Sequence, residues 1–236
     1  MKSLQSRSLA GRDDNQLHGY DLMVRQLIPG YASLARLSVA LLAASPLASE
    51  QGARVLVAGC GTGAELVEAR RQRPDWILTA LDPASDMLIE AQRRMPPADR
   101  GAIDWHQSTV EELPIAEPFA GALSVLVLQS LPDDGSKLAY LSALARQLAP
   151  GGQLVLIDLM RAQRPSLQAQ VERAWLGFQK AGEQPLNTED AAPLTEAVHP
   201  IGVSRLTALV NAAGFGDPAR IFQALDYEGF LLQRND

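Results

Sequence analysis

One cysteine, Cys60, stands in 236 residues, so no disulfide can form within the chain. That composition fits a reducing compartment. Aromatic residues make up only 5% and histidines number three, which leaves few side chains able to exchange a proton near neutral pH. Positive charge is also scarce: 21 Lys and Arg stand against 27 Asp and Glu, for a net charge of −6. A surface built to neutralise many phosphates would need the opposite balance, so nucleic acid is not an expected partner. Arg70, Arg71 and Arg73 form a local basic group, read as a solvated helix C-terminus favoured by the helix dipole. No apolar run approaches the roughly 20 residues of a membrane span. The basic residues near the start are not followed by the apolar stretch of a secretory signal. The expectation is a cytoplasmic protein without a membrane partner. What is present is ample apolar material, 47% against 20% charged, which supports a substantial core and excludes bulk disorder.

Residues 1–14 are polar and read as a loose N-terminus; residues 15–236 read as one domain. Within it, 15–50 form a helical lid of two helices (16–28 and 31–44) broken at Pro29-Gly30. The core, 53–160, alternates strand and helix: strands 53–58, 76–81, 102–107, 120–128 and 153–159, helices 63–73, 84–95 and 135–148. Leu66, Val67 and Ala69 are expected to face inward. The run 120–128 is continuously apolar, which suits a central strand of a parallel sheet. A helical cap, 161–202, follows. Pro165-Ser166 opens a helix with Leu167, Val171, Trp175 and Phe178 on one side, and residues 183–200 are loop-like. The last unit, 203–236, holds a helix over 203–212 with Gly214 as its C-cap and a hairpin of strands 219–225 and 227–233 turning at Asp226-Tyr227. Repeated βα units predict an α/β fold with a doubly wound, mostly parallel sheet of seven strands.

The chemistry concentrates at residues 55–63, Val-Leu-Val-Ala-Gly-Cys-Gly-Thr-Gly. A β-branched strand runs into a turn with almost no side chains, so backbone can approach a ligand. Asp82 ends the next strand, about twenty residues on, where a carboxylate can accept hydrogen bonds from a ribose diol. Both fall at strand carboxyl ends, where doubly wound sheets bind ligands. The glycine spacing alone is ambiguous. Gly59, Gly61 and Ala64 satisfy the dinucleotide pattern G-x-G-x-x-G/A, whereas Gly59, Gly61 and Gly63 satisfy G-x-G-x-G. Cys60 reads as a small turn residue rather than a nucleophile, because no histidine neighbours it.

Three further features separate the alternatives: some fifty residues of helix precede the turn, Glu111-Glu112-Leu113-Pro114 follows the third strand, and Leu148-Ala149-Pro150-Gly151-Gly152 precedes the fifth. With Leu81-Asp82 and Met87-Leu88 they resemble, in order and spacing, the class I S-adenosylmethionine-dependent methyltransferases, over roughly residues 16–236. Arg25–Tyr31 and Ala213-Gly214-Phe215 look like the subgroup of bacterial tRNA wobble-uridine carboxymethyltransferases and related small-molecule methyltransferases. The resemblance implies a Rossmann-like methyltransferase fold and S-adenosylmethionine as cofactor. It implies that Gly59, Cys60 and Gly61 pass under the methionine part, that Asp82 holds the ribose, that Pro83 lies beside the adenine, and that Gly63 and Met87 also belong to the cofactor site. Tyr31 would close the pocket from the lid, Thr109 and Val110 would reach the adenine, and Ser124 and Val125 would approach from below. No metal is implied.

Two departures matter. Ala58 and Thr109 stand where relatives commonly carry acidic residues, so a carboxylate for the methionine end and one for the adenine are missing. The carboxymethyl-transferring relatives hold their extra carboxylate with a basic residue, and no matching Arg lies between Lys180 and Arg205. Plain methyl transfer to a small-molecule substrate is therefore the expected activity. A nicotinamide-dependent oxidoreductase, a regulatory cofactor-binding protein and a carboxymethyltransferase acting on tRNA are the alternatives; Tyr140 heads no Tyr-x-x-x-Lys pair that would favour the first. If the acceptor must lose a proton, the candidate bases are His199, His106 and Tyr20, with His199 in the loop before the last helix preferred. Gln129 stands where many relatives have His, and can orient a polar group without taking its proton. Leu186, Val198 and Phe222 are candidates to line an apolar acceptor pocket, and a homodimer is left open.

Overall fold

The computed structural model describes residues 14–161, 166–182 and 198–236. Seven strands form one sheet in the order β3-β2-β1-β4-β5-β7-β6. The strands are β1 (Arg54–Ala58), β2 (Ile77–Leu81), β3 (Ile103–His106), β4 (Phe119–Val125), β5 (Leu148–Leu159), β6 (Ala219–Ala224) and β7 (Tyr227–Gln233). The first five run parallel, and β7 is antiparallel to β5 and β6. The predicted α/β class, doubly wound mostly parallel sheet, strand count and closing hairpin are therefore present. The reversed β7 needs only a tight turn back from β6, made by Leu225 (φ 55) and Asp226.

Alternation along the strands divides the core. Val55, Val57, Leu78, Ala80, Leu123 and Val155 face a layer formed with α1 (Asp14–Leu27), α2 (Tyr31–Ala43), α3 (Ala64–Gln72) and α4 (Ser85–Arg94). Leu56, Ala58, Ala122, Leu154 and Leu156 face the opposite layer, built on α6 (Ser136–Gln147) and the last helix, α8 (Val203–Ala213). Gly121 lets α2 come close to β4: an added Cβ would lie 2.5 Å from Leu42 Cδ1. Pro29-Gly30 turns the chain by 89° between α1 and α2, and Gly30 takes φ 83. No single described helix is long and apolar enough to cross a membrane.

Several expectations need correction. The fourth strand stops at Val125, not at 128, because Leu126 adopts φ 61 and residues Leu128–Ser130 coil into a 3-10 turn. A short helix, α5 (Pro97–Gly101), stands before β3 where none is expected; Pro97 sits at its start, where a missing N–H costs nothing. Val67 does not face inward: it is 41% exposed, unlike its buried neighbours Leu66 and Ala69. In α7 (Gln168–Lys180), Val171 and Trp175 are half-buried, while Leu167 and Phe178 are exposed. Trp175 reaches the lid, donating from Nε1 to the Leu27 carbonyl at 2.7 Å. Pro165, Leu186 and most of the loop 183–200 lie outside the described residues, as does nearly all of the segment 1–14. Gly214 does end the last helix, in the left-handed conformation expected of a C-cap.

Gly63 is where α3 begins, at φ 86, and a Cβ there would stand 3.0 Å from that of Ala91. Gly63→Ala should cost about 1–3 kcal/mol from backbone strain, with the Ala91 contact adding to it. Urea unfolding of the variant beside the wild type measures this.

Candidate cofactor site

In-register pairing creates the site. Ala58 is level with Leu81, and Val57 with Leu123, so the β1, β2 and β4 exits open at the same edge of the sheet. The strand order reverses between β1 and β4, which makes this the switch point of a doubly wound sheet. The turn after β1 is tied directly to β2: the Gly59 and Cys60 N–H groups both donate to the Leu81 carbonyl at 2.9 Å. Asp82 follows that carbonyl. Its Oδ2 accepts the Gly61 N–H and its Oδ1 the Ala84 N–H, each at 2.9 Å. Gly61 is thus held by Asp82, and Gly63 by the Cys60 carbonyl at 2.8 Å, so these two amides serve the turn itself. Each carboxylate oxygen retains a second lone pair for an incoming hydroxyl. Asp82 is 8% exposed. Burial raises its pKa, the Asp86 charge adds to the rise, and the two amide hydrogen bonds oppose it.

The glycines have different neighbours. A side chain at Gly59 would collide with Val127, which leans over the turn from the β4 exit. Above Gly61 the space is open, with nothing within 4 Å of a Cβ placed there. This open floor, flanked by a carboxylate with free lone pairs, fits an adenosyl cofactor.

The remaining predicted residues divide into those the structure gathers and those it does not. Pro83 is exposed beside Asp82. Thr109 is half-buried after β3, its N–H capped by Glu112 Oε2 at 2.9 Å, and Val110 is buried. Tyr31 opens α2 and is half-buried. Cys60 is 2% exposed and burial, with Asp82 and Glu65 nearby, pushes its thiol pKa far up; this removes it as a nucleophile. Met87 is buried in α4. Ser124 is wholly buried and its Oγ lies 2.8 Å from the Tyr140 hydroxyl, on the α6 side of the sheet. Strand alternation sends it there, and Val125 to the other face. His106 pairs with Asp104 Oδ2 at 2.8 Å on the surface. His199 is exposed, and its N–H donates to the Gln129 carbonyl at 2.7 Å. Phe222 packs on the lid break, 3.4 Å from where a Gly30 Cβ would stand.

Three features were missed. First, the lid is bolted to the glycine turn: Thr62 donates to Asp21 Oδ1 at 2.7 Å, Arg94 pairs with Asp21, and Arg94 Nη1 donates to the Thr62 carbonyl at 3.1 Å. A cavity of about 350 Å³ lies beside this bolt, lined by Arg25, Tyr31, Ala35, Ala64 and Val67 among others. Second, Glu65 in the first turn of α3 is 7% exposed, and burial raises its pKa to about 7. Third, a buried polar group fixes the β4 exit. Asp158 Oδ1 accepts the Gln129 N–H at 3.0 Å, Gln129 Oε1 accepts the Leu159 N–H at 2.8 Å, and Lys137 Nζ donates to the Leu128 carbonyl. The only sequence signals were a carboxylate inside an apolar strand and a lysine on the inward face of α6.

Asp158 is 3% exposed, and burial raises its pKa to about 7 against the pull of Lys137 and the Gln129 and Leu128 backbone. A carboxyl raised in the folded state takes up protons that the unfolded chain does not. Its stabilising contribution is therefore full below about pH 4 and is lost as pH rises towards 7. Asp158→Asn should flatten that decline, so that its melting temperature gains on the wild type as pH rises from 4 to 8. Melting curves across that range test the sign.

Residues 55–152 match the family model described as a methyltransferase domain. The chain is similar to trans-aconitate 2-methyltransferase of Methylobacterium nodulans, 35% identical over 176 residues, covering 74% of this chain and 61% of that protein. It is also similar to magnesium-protoporphyrin O-methyltransferase of Rhodobacter capsulatus, 31% identical over 105 residues, 42% of this chain and 46% of that one. The chain thus spans less than two thirds of the length of either. Human N-acetylserotonin methyltransferase, solved in complex with S-adenosylmethionine, superposes with a TM-score of 0.61 at 18% identity over 94% of this chain and 56% of that one. A Bordetella parapertussis protein superposes at 0.66 with 20% identity, over 86% of this chain and 66% of that one. The segment 55–152, which carries the glycine turn and Asp82 at its ligand edge, matches a methyltransferase domain.

Proposed function

We propose that the whole protein is an enzyme that transfers a methyl group to a small-molecule metabolite. The observation that carries this reading is the pairing of an open glycine floor with Asp82 at one sheet edge. In S-adenosylmethionine a sulfonium makes the methyl group electrophilic, so no further activation of the donor is needed. Asp82 would hold the ribose, Gly59–Gly63 would lie beneath the methionine part, and Thr109 and Val110 would border the adenine. The protein's own contribution is alignment and exclusion of water, which in well-oriented systems supplies roughly 7–11 kcal/mol of a barrier. The bolted lid and Val127 would serve that end. The two curated relatives carry names of small-molecule methyltransferases, and the chain's net charge of −6 sits with such a substrate better than with a polyanion. His199 has the exposure a base would need and lies on the segment hydrogen-bonded to Gln129. A cytoplasmic location belongs to the same reading.

The test is direct. S-adenosylmethionine and S-adenosylhomocysteine should raise the melting temperature while NAD leaves it unchanged; stabilisation by NAD alone would overturn the reading. Asp82→Asn keeps an acceptor for one backbone amide and removes the charge. It should weaken S-adenosylhomocysteine binding by about 1.5–3 kcal/mol, the worth of hydrogen bonds to a charged group, and titration calorimetry gives the number. Release of S-adenosylhomocysteine in the presence of a metabolite library then identifies the acceptor.

A further inference from the structure

The cavity of about 350 Å³ beside the lid is lined by residues of α1, α2, α3 and α4, all of them helical. Gly59, Gly61, Asp82 and Val127, which build the cofactor edge, are not among its lining residues. On α3 it meets Ala64, Val67 and Glu68, spaced so that they share one face, while Leu66 and Ala69 pack into the core from the other. Ala32 and Ala35 complete its apolar wall from α2. The charges around it are nearly all spent. Asp21 accepts the Thr62 hydroxyl and pairs with Arg94. Arg94 also reaches Glu90, which Arg93 holds at 2.9 Å. Glu68 pairs with Arg71 at 2.8 Å and accepts Gln72 Nε2 at 3.1 Å. Arg25, one helical turn beyond Asp21, is left over: it lines the cavity, is exposed, and has no ion pair or hydrogen bond among the described residues.

One unspent guanidinium beside a wall of short apolar side chains defines a ligand. A guanidinium is charged at every physiological pH, and its planar fork matches a carboxylate. Ala64 is the first residue of α3, so the positive end of that helix adds to the attraction for an anion. Asp21 and Glu68 also border the space and disfavour a second negative charge. The volume lies near the small end of the roughly 300–1,000 Å³ typical of ligand pockets. We propose that this cavity binds a small aliphatic molecule bearing one carboxylate, held by Arg25, at a site separate from the cofactor edge. The aliphatic body would lie on Ala32, Ala35, Ala64 and Val67. Asp21 lines the cavity and holds Thr62, so the ligand would sit against the outer side of the bolt that joins the lid to the glycine turn.

Titration calorimetry on the full chain tests this with three probes: pentanoate, its neutral counterpart pentanamide, and inorganic phosphate. Each is titrated with and without saturating S-adenosylhomocysteine. Pentanoate should bind about tenfold more tightly than pentanamide, as expected for hydrogen bonds between charged groups, and more tightly than phosphate. Saturation with S-adenosylhomocysteine should leave pentanoate bound. Arg25→Gln should reduce pentanoate to the level of pentanamide, and Ala35→Phe, which fills the cavity, should abolish binding of both. Neither substitution should change the affinity for S-adenosylhomocysteine, because neither residue belongs to the cofactor edge. If Ala35→Phe does not fold, Ala35→Leu takes its place. Absence of pentanoate binding, or equal binding of pentanoate and pentanamide, would overturn the proposal. Phosphate binding as tightly as pentanoate would overturn the choice of a single carboxylate. Displacement of pentanoate by S-adenosylhomocysteine would make the cavity part of the cofactor's own pocket and refute a separate site.

Discussion

The molecule depends on one carbonyl and one carboxylate in sequence, Leu81 and Asp82. The Leu81 carbonyl takes the Gly59 and Cys60 amides, and the Asp82 carboxylate takes those of Gly61 and Ala84. Two strand exits and the beginnings of two helices are thereby fixed against each other by four hydrogen bonds from adjacent residues. The ladder alone would align β1 with β2. It would not fix the path of a turn that has almost no side chains to pack. The turn's shape is instead imposed from outside, by the neighbouring strand, and a ligand meets a surface already organised.

Packing adds the second constraint. Val127 stands over Gly59 because the chain leaves β4 with Leu126 in a left-handed conformation, and the buried Asp158 and Lys137 hold the backbone that follows. Gln129 passes the restraint on, accepting Leu159 at its side chain and His199 at its carbonyl. On the lid side, Asp21, Thr62 and Arg94 do the same for α1. The glycine turn is consequently held from β2 and from the lid by hydrogen bonds, and covered from β4 by Val127, whose neighbouring backbone is fixed by buried polar groups. Hydrogen bonds between such groups are directional, so they set position in a way that apolar contact does not.

Much of this was legible in the sequence, for physical reasons. Period-two and helical patterns located the parallel strands and their crossing helices, and Gly59, Gly61, Gly63 and Asp82 located the ligand edge. The errors arose where an apolar residue packs outside a regular element. Leu126, Val127 and Leu128 extended the fourth strand on paper, but their burial belongs to a turn closing over Gly59. Val67 was expected in the core because it is apolar; it lines the cavity beside the lid instead. Ser124 lies in the correct strand, and the parity of that strand alone turns it to α6. Glu65, Asp158 and Lys137 went unread because an isolated charge in a periodic pattern is usually a surface residue. Only the three-dimensional packing shows these to be buried.

Those buried charges explain why the site is poised rather than relaxed. Burial disfavours the ionised forms of Asp82, Glu65 and Asp158, and the last two are pushed up to about 7. Each carries, when ionised, a desolvation cost that its hydrogen bonds only partly offset. The carboxylates persist where strand exits converge, and Asp82 borders the turn with open space above Gly61. A cation delivered to that space would favour the ionised forms in proportion to its proximity. The instability concentrated there is thus of the sign that a positively charged ligand removes, while the opposite sheet edge carries no comparable group among the buried carboxylates of the described residues.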